Sequence, residues 1–336
     1  MIDLRSDTVT RPGMAMRDAM HAAPVGDDVW GDDPSVKRFE AAIAERAGKA
    51  AALLFPSGTQ SNLAALLCHC QRGDEYIAGQ KTHTYRYEGG GAAVLGGIQP
   101  QPVENAADGS LPLESIHGVI KPVDFHFART RLLALENTIG GKVLEADYVT
   151  AATDLARAHG LATHLDGARL FNASVATNTP LATLCAPFDT VSLCFSKGLG
   201  APIGSTLVGS PALIDSARRW RKVLGGGMRQ SGIIAAACHY ALDHQVADLA
   251  DDHRRAARLA EGIRALPSLT VDQQATNMVF LQVPEHHLAP LRAWLAERDI
   301  LIEVRCTIRL VVHRDLDDEA IERVLGALRD YVASRR

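Results

Sequence analysis

Short apolar runs alternate with segments of helical periodicity over the first two thirds of the chain. The runs have the length of buried strands, and the periodic segments between them place apolar side chains on one face of a helix. The predicted strands cover residues 51–55, 131–136, 161–166, 190–195 and 203–208. Strands and helices that alternate in this way are typical of a mostly parallel sheet covered by helices. The pattern therefore predicts an α/β fold.

Local signals mark where some of the helices begin and end. Asp33 is a favourable cap, Pro34 stands at the first helical position, and apolar residues then recur on one face as far as Gly48. A second helix is predicted over 62–69, after a turn that contains glycine, and a third over 146–159. These helices connect the predicted strands.

The pattern of predicted strands and helices changes at about residue 243. The elements predicted beyond it are helices over 252–266, 288–298 and 317–332 and strands over 278–283 and 308–312. Such a mixture is typical of a smaller α+β domain. Because the first thirty residues have weak periodicity, we expect an N-terminal arm over 1–30, a large domain over 31–242 and a small domain over 243–336.

Composition and charge narrow the classes of partner. The 336 residues include 35 Lys and Arg against 39 Asp and Glu, for a net charge of -4. Because the two signs are interspersed, no basic strip faces a nucleic acid backbone. The apolar runs are far shorter than the roughly 18 residues of a membrane span, and the N-terminus lacks the apolar region of a secretory signal. We expect a cytoplasmic protein that binds neither nucleic acid nor membrane.

Neither the cysteines nor the common nucleotide and hydrolase motifs indicate a function for this chain. Six cysteines lie in apolar segments, as reduced cytosolic thiols do. Cys68, His69 and Cys70 resemble half of a zinc site, but no second pair follows at ligand spacing, so we expect no metal. The dinucleotide fingerprint, the Walker loop and the hydrolase elbow are absent from the sequence.

Polar residues at the ends of two predicted strands indicate a cofactor. Asp166 ends the strand 161–166, and Lys197 follows the strand 190–195 just before a glycine turn. Taken singly, Asp166 could be a helix cap and Lys197 a solvated turn residue. Together they are what pyridoxal phosphate requires, since a desolvated lysine forms a Schiff base with the aldehyde and an aspartate keeps the ring nitrogen protonated.

Two further features suit the same cofactor. The segment Ser57, Gly58, Thr59 lies at a predicted helix N-terminus, where free N–H groups can hold a phosphate. His83 offers a ring that can stack on the pyridine and take part in proton transfer, although a lone histidine is more often structural.

Six motifs in one order resemble the low-specificity L-threonine aldolases, which are pyridoxal-phosphate enzymes of the aspartate-aminotransferase fold, or fold type I. The motifs are DLRSDTVT (3–10), VGDDVWGDDP (25–34), SGTQSN (57–62), HLDGAR (164–169), SKGLG (196–200) and GGGMRQ (225–230). The resemblance covers nearly the whole chain. It implies a pyridoxal 5'-phosphate enzyme that cleaves L-threonine, L-allo-threonine and other β-hydroxy-α-amino acids to glycine and an aldehyde. It also implies a dimer of dimers with the active site between subunits.

The resemblance also assigns a cofactor-binding set. Its members are Gly58, Thr59, His83, Asp166, Arg169, Lys197, Lys222 and Arg229. Lys197 would form the Schiff base, Asp166 would pair with the ring nitrogen and Arg169 would bind the phenolic oxygen. Gly58 and Thr59 would hold the phosphate, while Lys222 and Arg229 resemble residues that a neighbouring subunit sends to it.

A second set is implied for the substrate. By resemblance, Ser6 and Arg309 bind the substrate carboxylate; Arg305 lies near, but the family motif places the arginine directly before an apolar pair, which favours Arg309. Tyr87 and His126 resemble positions near the β-substituent. We expect His83, directly or through a water, to manage the hydroxyl proton, and His126 to orient the hydroxyl, its alternative being an ordinary histidine at a strand edge.

The sequence departs from the family at two places and leaves other functions open. Ile139 and Gly140 replace the usual His-Asn pair after Glu-Asn-Thr, and Trp30 stands where a tyrosine is usual. The nearest alternative is a β-eliminating lyase on the same fold. A non-catalytic pyridoxal-phosphate protein and a nucleotide-binding α/β protein are the others, and no segment is left over for the DNA-binding domain of a regulator.

Overall fold

A large, mostly parallel sheet organises the computed structural model, which describes residues 1–304 and 307–335. The strands of the described residues are β1 (Ile2–Asp3), β2 (Ala51–Phe55), β3 (Asp74–Gly79), β4 (Gln99–Val103), β5 (Arg129–Glu136), β6 (Ala162–Gly167), β7 (Thr190–Cys194), β8 (Ser205–Gly209), β9 (Thr270–Ala275), β10 (Met278–Gln282), β11 (Ile300–Leu301) and β12 (Ile308–Val311). Within that part of the chain, seven strands pair in the order β2-β8-β7-β6-β5-β3-β4. Only β8 runs antiparallel to its neighbours there, so the predicted α/β sheet is confirmed.

Helices pack on both faces of this sheet. In chain order they are α1 (Met14–His21), α2 (Pro34–Arg46), α3 (Gly58–His69), α4 (His83–Arg86), α5 (Gly91–Gly96), α6 (Leu113–Val119), α7 (Ala146–Ala158), α8 (Leu170–Thr177), α9 (Leu181–Cys185), α10 (Pro211–Val223), α11 (Gly232–His244), α12 (Leu249–Arg264), α13 (Glu285–Ala296) and α14 (Asp318–Ala333). Successive residues of β2 enter different cores: Leu54 packs with Phe39 of α2, whereas Leu53 and Phe55 pack with Ala217 of α10. A strand buried on both faces reads as a continuous apolar run, which is why β2 was predictable.

The caps explain one accurate helix prediction and one error. Asp33 accepts hydrogen bonds from the backbone N–H groups of Ser35 and Val36, and α2 begins at the next residue, as predicted. Helix α3 begins at Gly58, four residues before the predicted start, because the Ser57 side chain accepts from the N–H of Gln60. This earlier start places the helix N-terminus beside the end of β2.

The C-terminal part of the chain encloses a second core. Strands β12, β10 and β9 form an antiparallel sheet in that order, and α12, α13 and α14 pack with it. The N-terminal residues belong to this core, since β1 pairs in parallel with β11 and both Ile2 and Leu4 are buried among its side chains. The expected boundaries at residues 30 and 242 stay predictions.

Two other expectations concern bilayers and metals. None of the helices in residues 1–304 and 307–335 combines the length and apolarity needed to cross a bilayer. The cysteines within that range, which leaves out Cys306, are free thiols. His69, between Cys68 and Cys70, bonds the hydroxyl of Thr190 at 2.8 Å.

Candidate active site

The carboxyl ends of three neighbouring parallel strands lie at one edge of the large sheet. Glu136 at the end of β5 is opposite Asp166 in β6, and Asp166 is opposite Ser192 in β7. Lys197 follows β7 by three residues and is half-buried. Its ammonium group lies close enough to His83 and Glu136 to contribute to the pKa of each, and this contribution lowers both values. The fold therefore brings Asp166 and Lys197, which are far apart in sequence, to one edge of the sheet, where open α/β folds bind ligands.

A cleft of about 530 Å³ opens between this edge and the C-terminal part of the chain. Four residues of the predicted set line it: His83, Tyr87, Arg169 and Arg309. The unusual pair Ile139 and Gly140 also lines it, together with residues that the sequence analysis did not select, which include Arg86, Glu136, Lys142, Gln273, Met278, Phe280 and Glu303. The departures from the family motif therefore lie in the wall of the cleft.

Asp166 is a buried acid whose hydrogen-bond donors are neutral groups. Its side chain accepts hydrogen bonds from Asn62 Nδ2 at 2.9 Å and from the N–H of Ala168 at 3.1 Å, and the residue is 2% exposed. No lysine or arginine of the described residues lies within salt-bridge distance of it. Since an unpaired buried carboxylate is costly, this position suits a ligand that carries a positive charge.

Arg169 is held at the cleft by an acid that sequence reasoning missed. Both oxygens of the buried Asp7 accept from its guanidinium, at 2.8 Å to Nε and 2.6 Å to Nη2. Burial opposes ionisation of Asp7, but the guanidinium outweighs it and holds the pKa well below its usual range. Asn277 donates to the same carboxylate at 3.2 Å. Asp7 lies in the family motif 3–10, and an acidic residue within that motif is the sequence feature that could have identified it as a site residue.

His83 lies between two further acids that the sequence analysis missed. Its backbone N–H donates to Glu136 at 2.6 Å, and its ring Nδ1 lies 2.8 Å from Glu88 Oε1. The hydrogen bond to Glu88 raises the pKa of His83. Burial, aided by the charge of Asp166, raises the pKa of Glu136 to about 8. The Tyr87 ring is 5.8 Å from the His83 ring, centroid to centroid, so the two form one wall.

One atom each of His83, Glu88 and Asp166 lie within 4.8 Å of one another, a spacing that could suit a metal ion. However, the Asn62 amide donates to both carboxylates, at 2.9 Å each. The amide thereby links the histidine and the two acids in one hydrogen-bonded network.

The N-terminus of α3 offers donors for a phosphate. The N–H groups of Gly58 and Thr59 belong to the first helical turn, where no acceptor is available within the helix. The hydroxyl of Ser205 is buried without a hydrogen-bond partner among the described residues, and a Cβ placed on Gly58 would lie 3.6 Å from it. Phosphate oxygens would satisfy these donors.

Other predicted residues lie outside the cleft. Ser6 caps the 3₁₀ turn Asp7–Val9 by accepting from the N–H of Thr8. His126 lies on an exposed loop, bonded to Asp124 at 2.7 Å. The side chains of Lys222 and Arg229 are exposed, and Arg229 bonds Asp27 at 3.0 Å. Arg305 lies outside the described residues.

The fold and this arrangement of side chains define the class. A strand-end aspartate, a lysine after the next strand and a helix N-terminus with free donors are the elements of a fold-type I pyridoxal-phosphate enzyme. Among solved structures, a threonine aldolase of Leishmania major matches with a TM-score of 0.85 and 21% identity, covering 99% of this chain and 100% of that one. A putative L-allo-threonine aldolase of Listeria monocytogenes matches with a TM-score of 0.82 and 20% identity, covering 98% and 96%. At these identities the likeness shows the fold.

Sequence comparisons are more specific. The model of the beta-eliminating lyase family matches residues 3–286. A low specificity L-threonine aldolase of Escherichia coli (strain K12) is 53% identical over 99% of this chain and 100% of its own length. A probable low-specificity L-threonine aldolase 2 of Arabidopsis thaliana is 44% identical over 97% and 95%. The chain therefore belongs to the beta-eliminating lyase family and, within it, to the low-specificity L-threonine aldolases.

Proposed function

We propose that the protein is a pyridoxal-phosphate-dependent aldolase that cleaves L-threonine, L-allo-threonine and other β-hydroxy-α-amino acids to glycine and an aldehyde. The observation that carries the proposal is the cleft itself, where His83, Arg169 and Arg309 face one space beside Asp166. The names of the relatives that are 53% and 44% identical support the same reaction.

The residues around the cleft fit the cofactor. Lys197 would hold its aldehyde, the carboxylate of Asp166 would face its ring nitrogen, and Arg169 would reach the phenolic oxygen while bonded to Asp7. Gly58 and Thr59 would hold the phosphate, and the unpartnered Ser205 hydroxyl gives that region a further donor. When bound, pyridoxal phosphate acts as an electron sink for the pair of electrons that the broken bond leaves on the α-carbon.

The substrate side of the cleft decides which bond breaks. The guanidinium of Arg309, with Ser6, would bind the carboxylate, and this contact would turn the Cα–Cβ bond perpendicular to the ring. His83 would accept the hydroxyl proton directly or through a water, beside Tyr87. His126 would orient the hydroxyl; because it lies on an exposed loop, a rearrangement or a neighbouring subunit must bring it to the substrate.

Exposed apolar and basic side chains support an assembly of subunits. Trp30 is 79% exposed, Phe125 is 90% exposed and Val123 is 97% exposed, and burial of this apolar surface between subunits would favour association. We propose a cytoplasmic dimer of dimers in which Lys222 and Arg229 of one subunit reach the phosphate region of another. Its place is in threonine catabolism and glycine formation.

Acetaldehyde release tests the proposal. The purified protein, supplied with pyridoxal phosphate and with L-threonine or L-allo-threonine, should release acetaldehyde that a coupled aldehyde-reducing enzyme detects. The ratio of the two rates gives the stereochemical preference. Formation of 2-oxobutanoate and ammonia from the same substrates, with no glycine or acetaldehyde, would instead select the β-eliminating alternative. A colourless protein that never binds the cofactor would refute both.

A further inference from the structure

A chain of hydrogen-bonded polar side chains runs from His69, at the end of α3, through the buried residues Thr190, His164 and Asn62 to His83 in the cleft. Its members are His69, Thr190, His164, Asn62, Glu88 and His83, with Asp166 as a branch at Asn62. Each neighbouring pair lies within 3.2 Å, atom to atom. The proposed reaction uses only the last residue of this chain and the branch, so the function of the others remains to be assigned.

The orientation of the Asn62 amide sets the direction of the hydrogen bonds. Its Nδ2 lies 2.9 Å from Glu88 Oε1 and 2.9 Å from Asp166 Oδ2. Carboxylate oxygens accept, so the amide group that faces them must be the one with two N–H donors. The amide oxygen then faces His164 Nε2 at 3.2 Å and accepts a hydrogen bond from its N–H group.

The hydrogen bonds between His164, Thr190 and His69 run in the same direction. Burial lowers the pKa of His164 to about 3, so its ring is neutral and Nδ1 accepts from the hydroxyl of Thr190 at 2.9 Å. The Thr190 oxygen in turn accepts from His69 Nε2 at 2.8 Å, whose pKa burial lowers to about 4. These hydrogen bonds favour the Asn62 orientation in which the amide oxygen faces His164.

At the other end of the chain, the same donor and acceptor roles fix the proton of His83 in the cleft. Glu88 Oε1 accepts from Asn62 and lies 2.8 Å from His83 Nδ1, so that nitrogen carries a proton. Among the described residues, no protein group is hydrogen-bonded to Nε2 of His83, although the ring lines the cleft. Nε2 is therefore the ring atom available to a substrate hydroxyl or a bridging water.

We propose that Asn62 is a positioning residue that orients Glu88 and Asp166 together, and thereby fixes His83 with its proton on Nδ1 and with Nε2 as the atom that exchanges a proton in the cleft. The proposal rests on the proposed function for the identity of the substrate. The tautomer and the titration of His83 do not depend on it.

We call the hydrogen-bonded residues Asn62, Glu88 and His83 the relay. Substitutions of Asn62 and of Glu88 should shift the pH midpoint of the His83 titration in opposite directions. In Asn62→Leu, Glu88 loses a donor, its charge becomes less stabilised, and it holds the His83 proton more tightly. We expect the midpoint of His83 to rise by about one pH unit, the value of one hydrogen bond to a charged group. In Glu88→Gln the negative charge disappears, and the midpoint should fall toward the ordinary value.

NMR spectra of the cofactor-loaded protein with ¹⁵N-labelled histidine rings measure both the tautomer of His83 and the pH midpoint of its titration. The His83 signal is identified as the one that is lost in His83→Gln. The matched control is Asn172→Leu, because Asn172 is also buried and bonded to a histidine, His253, at 3.2 Å. It should leave the His83 midpoint unchanged.

Three results would overturn the proposal: a proton on Nε2 rather than Nδ1 of His83 in the unaltered protein, an unchanged midpoint in both relay variants, or an equal shift in the control. Should Asn62→Leu fail to fold, the tautomer and Glu88→Gln still decide. The acidic limb of the kcat/KM profile should move with the midpoint. If the unaltered protein released no acetaldehyde, the proposed function would fail, while the spectra would still test the relay.

Discussion

The site residues fall into two groups that differ in how completely one chain surrounds them. The buried group consists of Asp7, Asn62, Asp166 and Arg169, and each of them is hydrogen-bonded to other residues of the same chain. The exposed group consists of Trp30, His126, Lys222 and Arg229, which lie outside the cleft. Under the proposed function, one chain would build the cofactor's ring site, whereas the phosphate and hydroxyl contacts proposed for Lys222, Arg229 and His126 would need another subunit or a rearranged loop.

The largest effect is expected from Lys197→Ala, which removes the amine proposed to hold the cofactor's aldehyde. Acetaldehyde release should fall by ~10⁴-fold or more. Circular dichroism should match the unaltered protein, and some cofactor should still bind. A variant with near-normal rates would show that Lys197 is not the lysine that holds the cofactor's aldehyde.

Asp7→Asn breaks the buried pair with Arg169. Removing one partner of a buried ion pair leaves an uncompensated charge, so the free energy of unfolding should fall by about 3 kcal/mol. Because the folded pKa of Asp7 is lowered, its stabilisation is present above about pH 4 and is lost as the pH falls toward the folded value. Denaturant unfolding at pH 7 and at pH 3 should therefore show a smaller difference for the variant.

The control for that variant is Asp124→Asn, since Asp124 is an exposed acid bonded to His126. Its unfolding at pH 7 should match that of the unaltered protein. Equal losses in the two variants would contradict the distinction between buried and exposed groups.

Arg309→Leu tests the substrate side. Loss of a charge-assisted hydrogen bond should raise KM for the amino acid by ~10 to 100-fold, with little change in the affinity for pyridoxal phosphate. Equilibrium cofactor titration alongside steady-state kinetics separates the two. A matched loss of both affinities would count against the carboxylate role.

A smaller effect is expected from Lys222→Ala, which should weaken cofactor binding by ~10-fold. Mixing it with Lys197→Ala gives the sharper test. If Lys222 of one subunit completes the site that contains Lys197 of another, a hybrid dimer regains one intact site of two. At a pyridoxal phosphate concentration low enough to leave Lys222→Ala mostly empty and inactive, random mixing should then restore roughly a quarter of the unaltered activity. A site built from one chain would regain nothing beyond the average of the two variants.

Sequence patterns predicted the central strands well because a strand buried on both faces needs a run of apolar residues. They missed β3 and β4 of the large sheet, the short β1 and β11, and β9, Thr270–Ala275. The residues of β9 are mostly polar and partly exposed, as suits a strand with one neighbour. The patterns also placed the start of α3 too late, since glycine and threonine are poor helix formers but serve in the first turn after the Ser57 cap.

The order of residues along the chain is enough to predict the alternation of strands and helices and the chemical types at the strand ends, among them Asp166 and Lys197. The contacts between distant residues follow from the fold: Asp7 pairs with Arg169 across 162 residues, and Asn62 bonds Asp166 across 104. The fold also accounts for the raised pKa of Glu136. The physical reason is that hydrogen-bond partners and desolvation depend on which strands become neighbours and on how deeply each group is buried, and neither is a local property of the chain.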